Sequence, residues 1–488
     1  MTGIVGYHCY IPQYRLRRAD IAAALGSDAH GERTVAGYDE DSTTLGVAAA
    51  LPVVRGREAA AGSLWFATSD PVYADKTNAA TLHAALDLRP DIAAVDLGAG
   101  LRSGVAALLT AARDGGLAVL ADRRGGAVGG TDERTGGDAA AAFLFGEEAA
   151  VARITGSAAV TAEFIDRWRA PGAPEGWAWE ERFGEQRYVE LADQLLTTLT
   201  ERGVDLTDVA RFAVAGSNPR AVRTVGNAVR HRTGARQEGA DLADRIGNAG
   251  AAQAGLALAD LLDAAEPGET LLLVSLADGA DAIVLQAADT IAGARGRPLR
   301  AGLDSGVLIN YPQYLVWRRR VVAERPRRPD PERPSAPFAW RNRRYKLSMA
   351  GGRCRKCGAV QYPLPDICYR CHTAGPFDTV TAGHGSARIV TFTIDRLAFS
   401  PSPPLVSAIV AFEGGGRLQC ELTDVRGPLH IGDEVEPTFR RGATVDGIHN
   451  YVWKTRPRSA AAETRAETDT EAEAEPEPEP GTAIETKS

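Results

Sequence analysis

The chain has 488 residues, 44% of them apolar and 24% charged, the balance of a globular protein with room for two or three domains. No apolar run reaches the roughly 18 residues of a membrane-spanning helix, and residues 1–12 lack the basic-then-apolar pattern of a signal peptide, so the expected compartment is the cytoplasm, with no membrane partner. Net charge is −8, but residues 459–488 hold nine acidic and two basic residues; the rest, with 53 basic and 54 acidic, is not the surface of a general nucleic-acid binder.

In chain order, residues 3–11 read as a strand, 18–25 as a short helix, and 37–54 as a helix with Asp41 or Ser42 available as its cap. Strands at 63–68, 92–97, 117–121, 139–145, 149–155, 212–215 and 270–275 alternate with helices at 78–86, 105–112, 188–202 and 250–264. Such alternation predicts a layered α/β domain over residues 1–317. Residues 318–345 are rich in Arg and Pro and read as a stiff, solvated linker, or as a contact for phosphates or an acidic surface. From 379 to 457 short strands at 388–394, 405–412, 417–422 and 434–439, separated by Gly and Pro, predict a small barrel of the OB type. The Glu-Ala-Pro repeats of 458–488 lack apolar mass and read as disordered.

Two stretches carry chemistry. Cys354-Arg355-Lys356-Cys357 and Cys368-Tyr369-Arg370-Cys371 are two CxxC knuckles ten residues apart, a spacing that delivers four thiolates to one structural Zn²⁺ within residues 346–378. His372 adjoins the last cysteine as a bystander. The other is Asp96-Leu97-Gly98-Ala99-Gly100-Leu101-Arg102-Ser103-Gly104, where an apolar strand turns through small residues into a helix. A helix start favours an anionic nucleophile, and missing side chains let a carbonyl approach.

This turn is similar to the nucleophile turn of the thiolase superfamily, with Leu101 where that superfamily has its cysteine. Residues 1–290 resemble hydroxymethylglutaryl-CoA synthase, especially its archaeal and bacterial form. The resemblance rests on Gly3-Ile4-Val5-Gly6-Tyr7 with Tyr10-Ile11-Pro12, Asp39-Glu40-Asp41-Ser42-Thr43-Thr44, and Gly137-Asp138-Ala139-Ala140-Ala141. It continues through Phe164-Ile165-Asp166-Arg167-Trp168-Arg169 with Pro171-Gly172, Arg182-Phe183, Ile246-Gly247-Asn248 and residues 271–275. The order of the matches, more than any one of them, carries the resemblance. It implies the five-layered thiolase fold, a homodimer through that domain, and a Glu-Cys-His catalytic set acting on coenzyme A thioesters. On that register the glutamate position falls on Ser69, the cysteine on Leu101 and the histidine on Ser217, while an asparagine is retained as Asn248.

Substitutes for the missing groups are poor. Cys9 lies inside the first strand as a small buried hydrophobe. Ser103 is turned about 200° from Leu101 on a helix. Asp70 adjoins the glutamate position but is one residue off and shorter. His83 and His231 sit on predicted helices as surface or packing groups. The zinc module and barrel resemble the small zinc-ribbon/OB-fold proteins that accompany thiolases, some of which bridge a thiolase and hydroxymethylglutaryl-CoA synthase. The expectation is a catalytically degenerate, acyl-CoA-binding subunit that works with a thiolase-family protein. A synthase or acyltransferase with a rebuilt site is the alternative. Nucleic-acid binding by the barrel is the remote one: Phe392, Phe399, Phe412, Phe439, Tyr451 and Trp453 read as core, and Arg440 with Arg441 make no groove.

Overall fold

Ten strands form one mixed sheet in the computed structural model, which describes residues 2–98, 100–294, 298–322, 324, 333 and 335–458. In chain order they are β1 (Gly3–Tyr10), β2 (Ser63–Ala67), β3 (Ala93–Leu97), β4 (Leu117–Arg123), β5 (Asp138–Gly146), β6 (Ala152–Thr161), β7 (Val209–Gly216), β8 (Arg236–Gln237), β9 (Thr270–Leu276) and β10 (Gly279–Ala287). Across the sheet they run β8-β7-β9-β10-β6-β1-β5-β4-β2-β3. The two halves repeat one plan. β2 is parallel to β3 and β4, and β4, β5 and β1 alternate; likewise β7 is parallel to β8 and β9, and β9, β10 and β6 alternate. The halves meet where Gly3 and Ile4 pair with Arg153 and Ala152.

Six helices complete five layers: α1 (Ser42–Val54), α2 (Ala79–Ala85), α3 (Ser103–Asp114), α4 (Glu181–Glu201), α5 (Pro219–Thr233) and α6 (Gln253–Ala264). α3 and α6 lie between the halves, so both their faces bury small and branched residues in one cluster with Leu120, Phe143, Leu273 and Ile283. α1 and α2 cover the first half, and α4 and α5 the second. Burial on both faces explains why these strands read as continuous apolar runs. Asp41, one of the two candidate caps, accepts from the Thr44 amide at 3.0 Å while Thr44 Oγ1 accepts from the Asp41 amide at 2.9 Å; the helix therefore starts at Ser42, not at 37.

The Arg- and Pro-rich stretch departs from the reading of a linker. Part of it lies outside the described residues, but its end folds as two short helices, Ala336–Arg341 and Arg343–Ser348, the first capped by the Ser335 hydroxyl at 3.3 Å. Its beginning is anchored: Arg318 pairs with the fully buried Asp138. A three-stranded ribbon follows, β11 (Ala350–Cys354), β12 (Val360–Gln361) and β13 (Phe377–Thr381). The chain then closes a five-stranded barrel from β14 (Ala387–Asp395), β15 (Leu405–Phe412), β16 (Arg417–Leu422), β17 (Glu434–Val445) and β18 (Ile448–Pro457). Phe412, Phe439, Tyr451 and Trp453 are buried inside it, Phe392 is partly buried, and Phe399 is exposed. The expected disordered tail lies outside the described residues. Among the described residues no helix is long and apolar enough to cross a membrane.

Candidate functional site

Parallel strands β2, β3 and β4 bring their carboxyl ends together, with Ala67 opposite both Leu97 and Leu120. The residues just beyond those ends form the first candidate site. Its centre is Asp122, a carboxylate with no solvent exposure. It accepts from Thr68 Oγ1 at 2.8 Å, the Ser69 amide at 2.6 Å, Ser69 Oγ at 2.6 Å and the Ala251 amide at 2.7 Å. Arg124 donates to Ser69 Oγ at 2.8 Å. Burial raises the Asp122 pKa, and Arg124 with the donors opposes the rise without cancelling it. Gly250 sits at φ +58°, and a Cβ there would stand 1.8 Å from Asp122 Oδ2, so only glycine lets the loop close on the carboxylate.

Leu101 lies on the adjoining turn, half-buried, one residue before Arg102. Arg102 locks that turn to the second half of the fold: it forks onto Asp281 at 2.7 and 3.0 Å and donates to Thr161 Oγ1 at 2.8 Å. Gly104, three residues after Leu101, presses the start of α3 against the Ala251 carbonyl, which a Cβ would meet at 2.2 Å. Ser103 turns its hydroxyl back to the Gly100 carbonyl at 2.7 Å. Asn248 holds its own loop, Oδ1 accepting from the Gly250 amide at 2.9 Å and its carbonyl from the Gly137 amide at 3.0 Å. Ser217 follows β7 at the strand end corresponding to that of Ser69, and it is not a member of the Asp122 network. The structure thus joins Ser69 and the Asn248 loop through Asp122, a residue that sequence reading passed over as the end of a strand.

Cys9, His83 and His231 lie outside the Asp122 network, and Asp70 touches it only through its amide, 3.2 Å from Asp122 Oδ1. Cys9 packs against the central cluster, and burial, then Asp263 and Asp260, push its thiol pKa up. His83 Nε2 bonds the Arg89 carbonyl at 2.7 Å, and His231 lies exposed on α5. Asp70 pairs with Arg123 at 3.4 Å.

A second concentration of charge lies where the barrel meets the start of α1. Arg440, fully buried, reaches Glu40 at 2.5 Å, Asp424 at 2.6 Å and Asp39 at 3.5 Å. Lys454 reaches Glu421 at 2.6 Å and Asp39 at 2.9 Å, and Tyr451 donates to Asp41 at 3.1 Å. Burial opposes the charge on Asp39, but Arg440 and Lys454 outweigh it and hold its carboxyl below the ordinary range. Arg440 and Arg441 therefore face the α/β domain rather than a groove, because Arg441 also donates to the Tyr38 carbonyl at 2.7 Å.

The four cysteines of the ribbon do converge. Their sulfurs all lie within 4.8 Å of one another, with Cys354–Cys371 and Cys357–Cys368 at 3.6 Å. Zn–S bonds of about 2.3 Å in a tetrahedron set sulfurs about 3.8 Å apart, so the donor set fits zinc, with no open position for substrate. Hydrogen bonding with Thr373 pulls the Cys371 thiol down to about 6, toward the thiolate a metal takes. Gly358 at φ +73° and His372 at φ +53° close the two knuckles, and His372 contributes no ligand atom.

Comparison with known proteins matches both parts. The hydroxymethylglutaryl-CoA synthase of Methanopyrus kandleri is 30% identical over 347 residues, 66% of this chain and 98% of that protein. The synthase of Archaeoglobus fulgidus is 29% identical over 349 residues and is covered in full. A DUF35 domain-containing scaffold protein of Methanocaldococcus jannaschii is 30% identical over 125 residues, 24% of this chain and 88% of that protein. Residues 380–440 match the family described as ChsH2, C-terminal OB-fold domain. In fold, a crystal structure of HMG-CoA synthase complexed with CoA superposes with a TM-score of 0.57 at 18% identity, covering 65% of this chain and 90% of that one. The curacin-pathway HMG synthase in complex with holo donor-ACP gives 0.58 over 65% and 88%.

Proposed function

The chain belongs to the hydroxymethylglutaryl-CoA synthase family, and on that premise we propose that it is an acyl-CoA-binding subunit that does not form its own acyl-enzyme, working with a thiolase-family protein in making or breaking a carbon–carbon bond. In this reading Ser69, Leu101 and Ser217 stand at the glutamate, cysteine and histidine positions, and Asn248 is kept. The observation that carries it is Leu101: a hydrocarbon side chain offers no lone pair to a thioester carbonyl, and condensation through an acyl-enzyme needs one. Ser69 Oγ is held at 2.6 Å by Asp122 and at 2.8 Å by Arg124, which supports a positional use of that hydroxyl rather than a base. The same short contact favours a second reading. A buried carboxylate with a raised pKa beside a hydroxyl is one way to rebuild an acid–base pair, and the chain would then be an acyltransferase or synthase that dispenses with cysteine.

The barrel and ribbon resemble a protein whose name calls it a scaffold, which supports a bridging role for residues 346–457, with zinc holding the ribbon as a structural ion. The α/β domain would pair with a second copy, as the family resemblance implies, and the whole would act in the cytoplasm. The test is incubation of the full chain with acetyl-CoA followed by intact mass and peptide mapping. We expect no acetyl adduct, and a thiolase-family protein co-purifying with the tagged chain from its native cell. A stable adduct within residues 1–317 overturns the proposal, and turnover of an acyl-CoA by the isolated chain without an adduct favours the rebuilt site.

A further inference from the structure

A cavity of about 190 Å³ lies where three parts of the chain meet, and neither the fold nor the Asp122 network accounts for it. Its wall is built from Asp70 just beyond β2, Arg123 of β4, Arg319 beyond the helix Tyr311–Trp317, and Arg441 and His449 of the barrel, with Asp41 at the start of α1. Three guanidinium groups and an imidazole thus face two carboxylates. The ion pairs are loose: Arg123 meets Asp70 at 3.4 Å and Arg441 meets Asp41 at 3.9 Å, where Arg102–Asp281 and Arg167–Asp132 close to 2.7 Å. Arg123 reaches Asp70 through Nε alone, and its two terminal nitrogens have no hydrogen-bond partner among the described residues. Arg318, which also lines the cavity, is neutralised by Asp138.

We propose that this cavity is a binding site for a small oxyanion, a carboxylate or phosphate group carried by an acyl-CoA. The geometry has the parts such a group needs. Planar forks suit a two- or three-oxygen acceptor, and they come from both domains, so the site exists only when the barrel is seated. Asp70 is the next residue after Ser69, which sets the anion beside the strand ends where the α/β domain would hold a thioester. The His449 ring reports the field inside. Burial, then Arg441, push its pKa down to about 4, Asp41 opposes them, and Arg319 and Arg123 add to the fall. Its Nδ1 is engaged by Thr444 Oγ1 at 2.7 Å, and the ring stacks obliquely beside Tyr73. A neutral imidazole in a positive cavity becomes easier to protonate when an anion enters.

The site stands on the cavity's own residues; only the identity of the ligand rests on the function proposed above. The experiment uses the full chain, its folding checked by circular dichroism, with inorganic phosphate, CoA, acetyl-CoA and succinyl-CoA as probes. Calorimetry gives affinity, and imidazole NMR gives the His449 midpoint. We expect a ligand to raise that midpoint by at least one pH unit. We expect Arg123→Gln to weaken binding tenfold or more, and Asp70→Asn, which removes a competing carboxylate, to tighten it severalfold. Response to succinyl-CoA but not to acetyl-CoA or CoA supports the site and places an acyl carboxylate there; equal response to CoA and both thioesters supports it and places a CoA phosphate there. Response to inorganic phosphate alone upholds the anion site and removes the acyl-CoA reading. If no probe moves His449, or if both variants bind like the native chain, the proposal is overturned.

Discussion

Asp122 gathers donors from two segments that are far apart in sequence: Thr68 and Ser69 beyond β2, and Ala251 at the entry to α6. None of these donors reaches water at that depth, so the carboxylate's removal strands them all. Asp122→Ala is therefore expected to cost about 3 kcal/mol of stability, the penalty of several unsatisfied buried groups, against about 1 kcal/mol for Ser69→Ala, which loses one hydroxyl. Urea denaturation of the two variants checks the ranking; equal losses would show that the loop does not depend on Asp122. Ser69 is legible in the sequence as a candidate, because the turn it sits in and the Pro-Val-Tyr-Ala that follows can be aligned by eye. Asp122 could not be found that way. A charged residue at the end of an apolar strand is the ordinary pattern of a strand reaching solvent, and here it reaches another loop, 129 residues on, instead.

Elements whose stability is local were the easiest to read from sequence. The two cysteine knuckles declare themselves by spacing, and α1 by its capping aspartate. Elements fixed by distant partners were not. β18, Ile448–Pro457, falls within the predicted barrel but does not read as a strand, because His449, Lys454 and Arg456 interrupt its apolar residues; it is a strand because it pairs with β17, Trp453 opposite Phe439, while Lys454 finds Asp39. α5 hides in an Arg-rich sequence whose apolar face, Ala221, Val225 and Val229, packs on the second half of the sheet. α4 begins at Glu181, seven residues before the predicted start, with Gly184 in its first turn. The buried cluster around the ribbon's cysteines is small, Cys354, Ala359 and Cys368. A cluster of that size predicts that the ribbon depends on a bound metal. One zinc per chain is expected by elemental analysis, and its removal by a chelator, or Cys371→Ser, should raise hydrogen exchange over residues 350–381 while the barrel stays protected. Unchanged exchange after the metal is gone would mean that the neighbouring helices hold the ribbon.

At the scale of the molecule, the two domains are joined by buried charge as well as by apolar contact. The barrel core is continuous with the α1 layer in one apolar cluster, and the orienting contacts are Arg440 on Asp39 and Glu40 and Lys454 on Asp39. Replacing a fully buried cation leaves its partners uncompensated, which typically costs 3 to 5 kcal/mol. Arg440→Met should lower stability by about that much and split a single thermal transition into two, measured by calorimetry. One unchanged transition would show that the apolar contacts suffice. The sequence displayed both halves of this lock, the Asp39-Glu40-Asp41 run and the Arg440-Arg441 pair, 400 residues apart, and gave no sign that they meet.

That lock has a consequence for assembly. The scaffold relative in M. jannaschii is nearly spanned by 125 residues of this chain, so there the unit exists as a protein of its own, whereas here it is a permanent appendage. Tethering makes the encounter intramolecular and independent of dilution. Stoichiometry is one to one at any expression level, and a weakened seam will reveal itself as breathing between domains and never as the loss of a subunit.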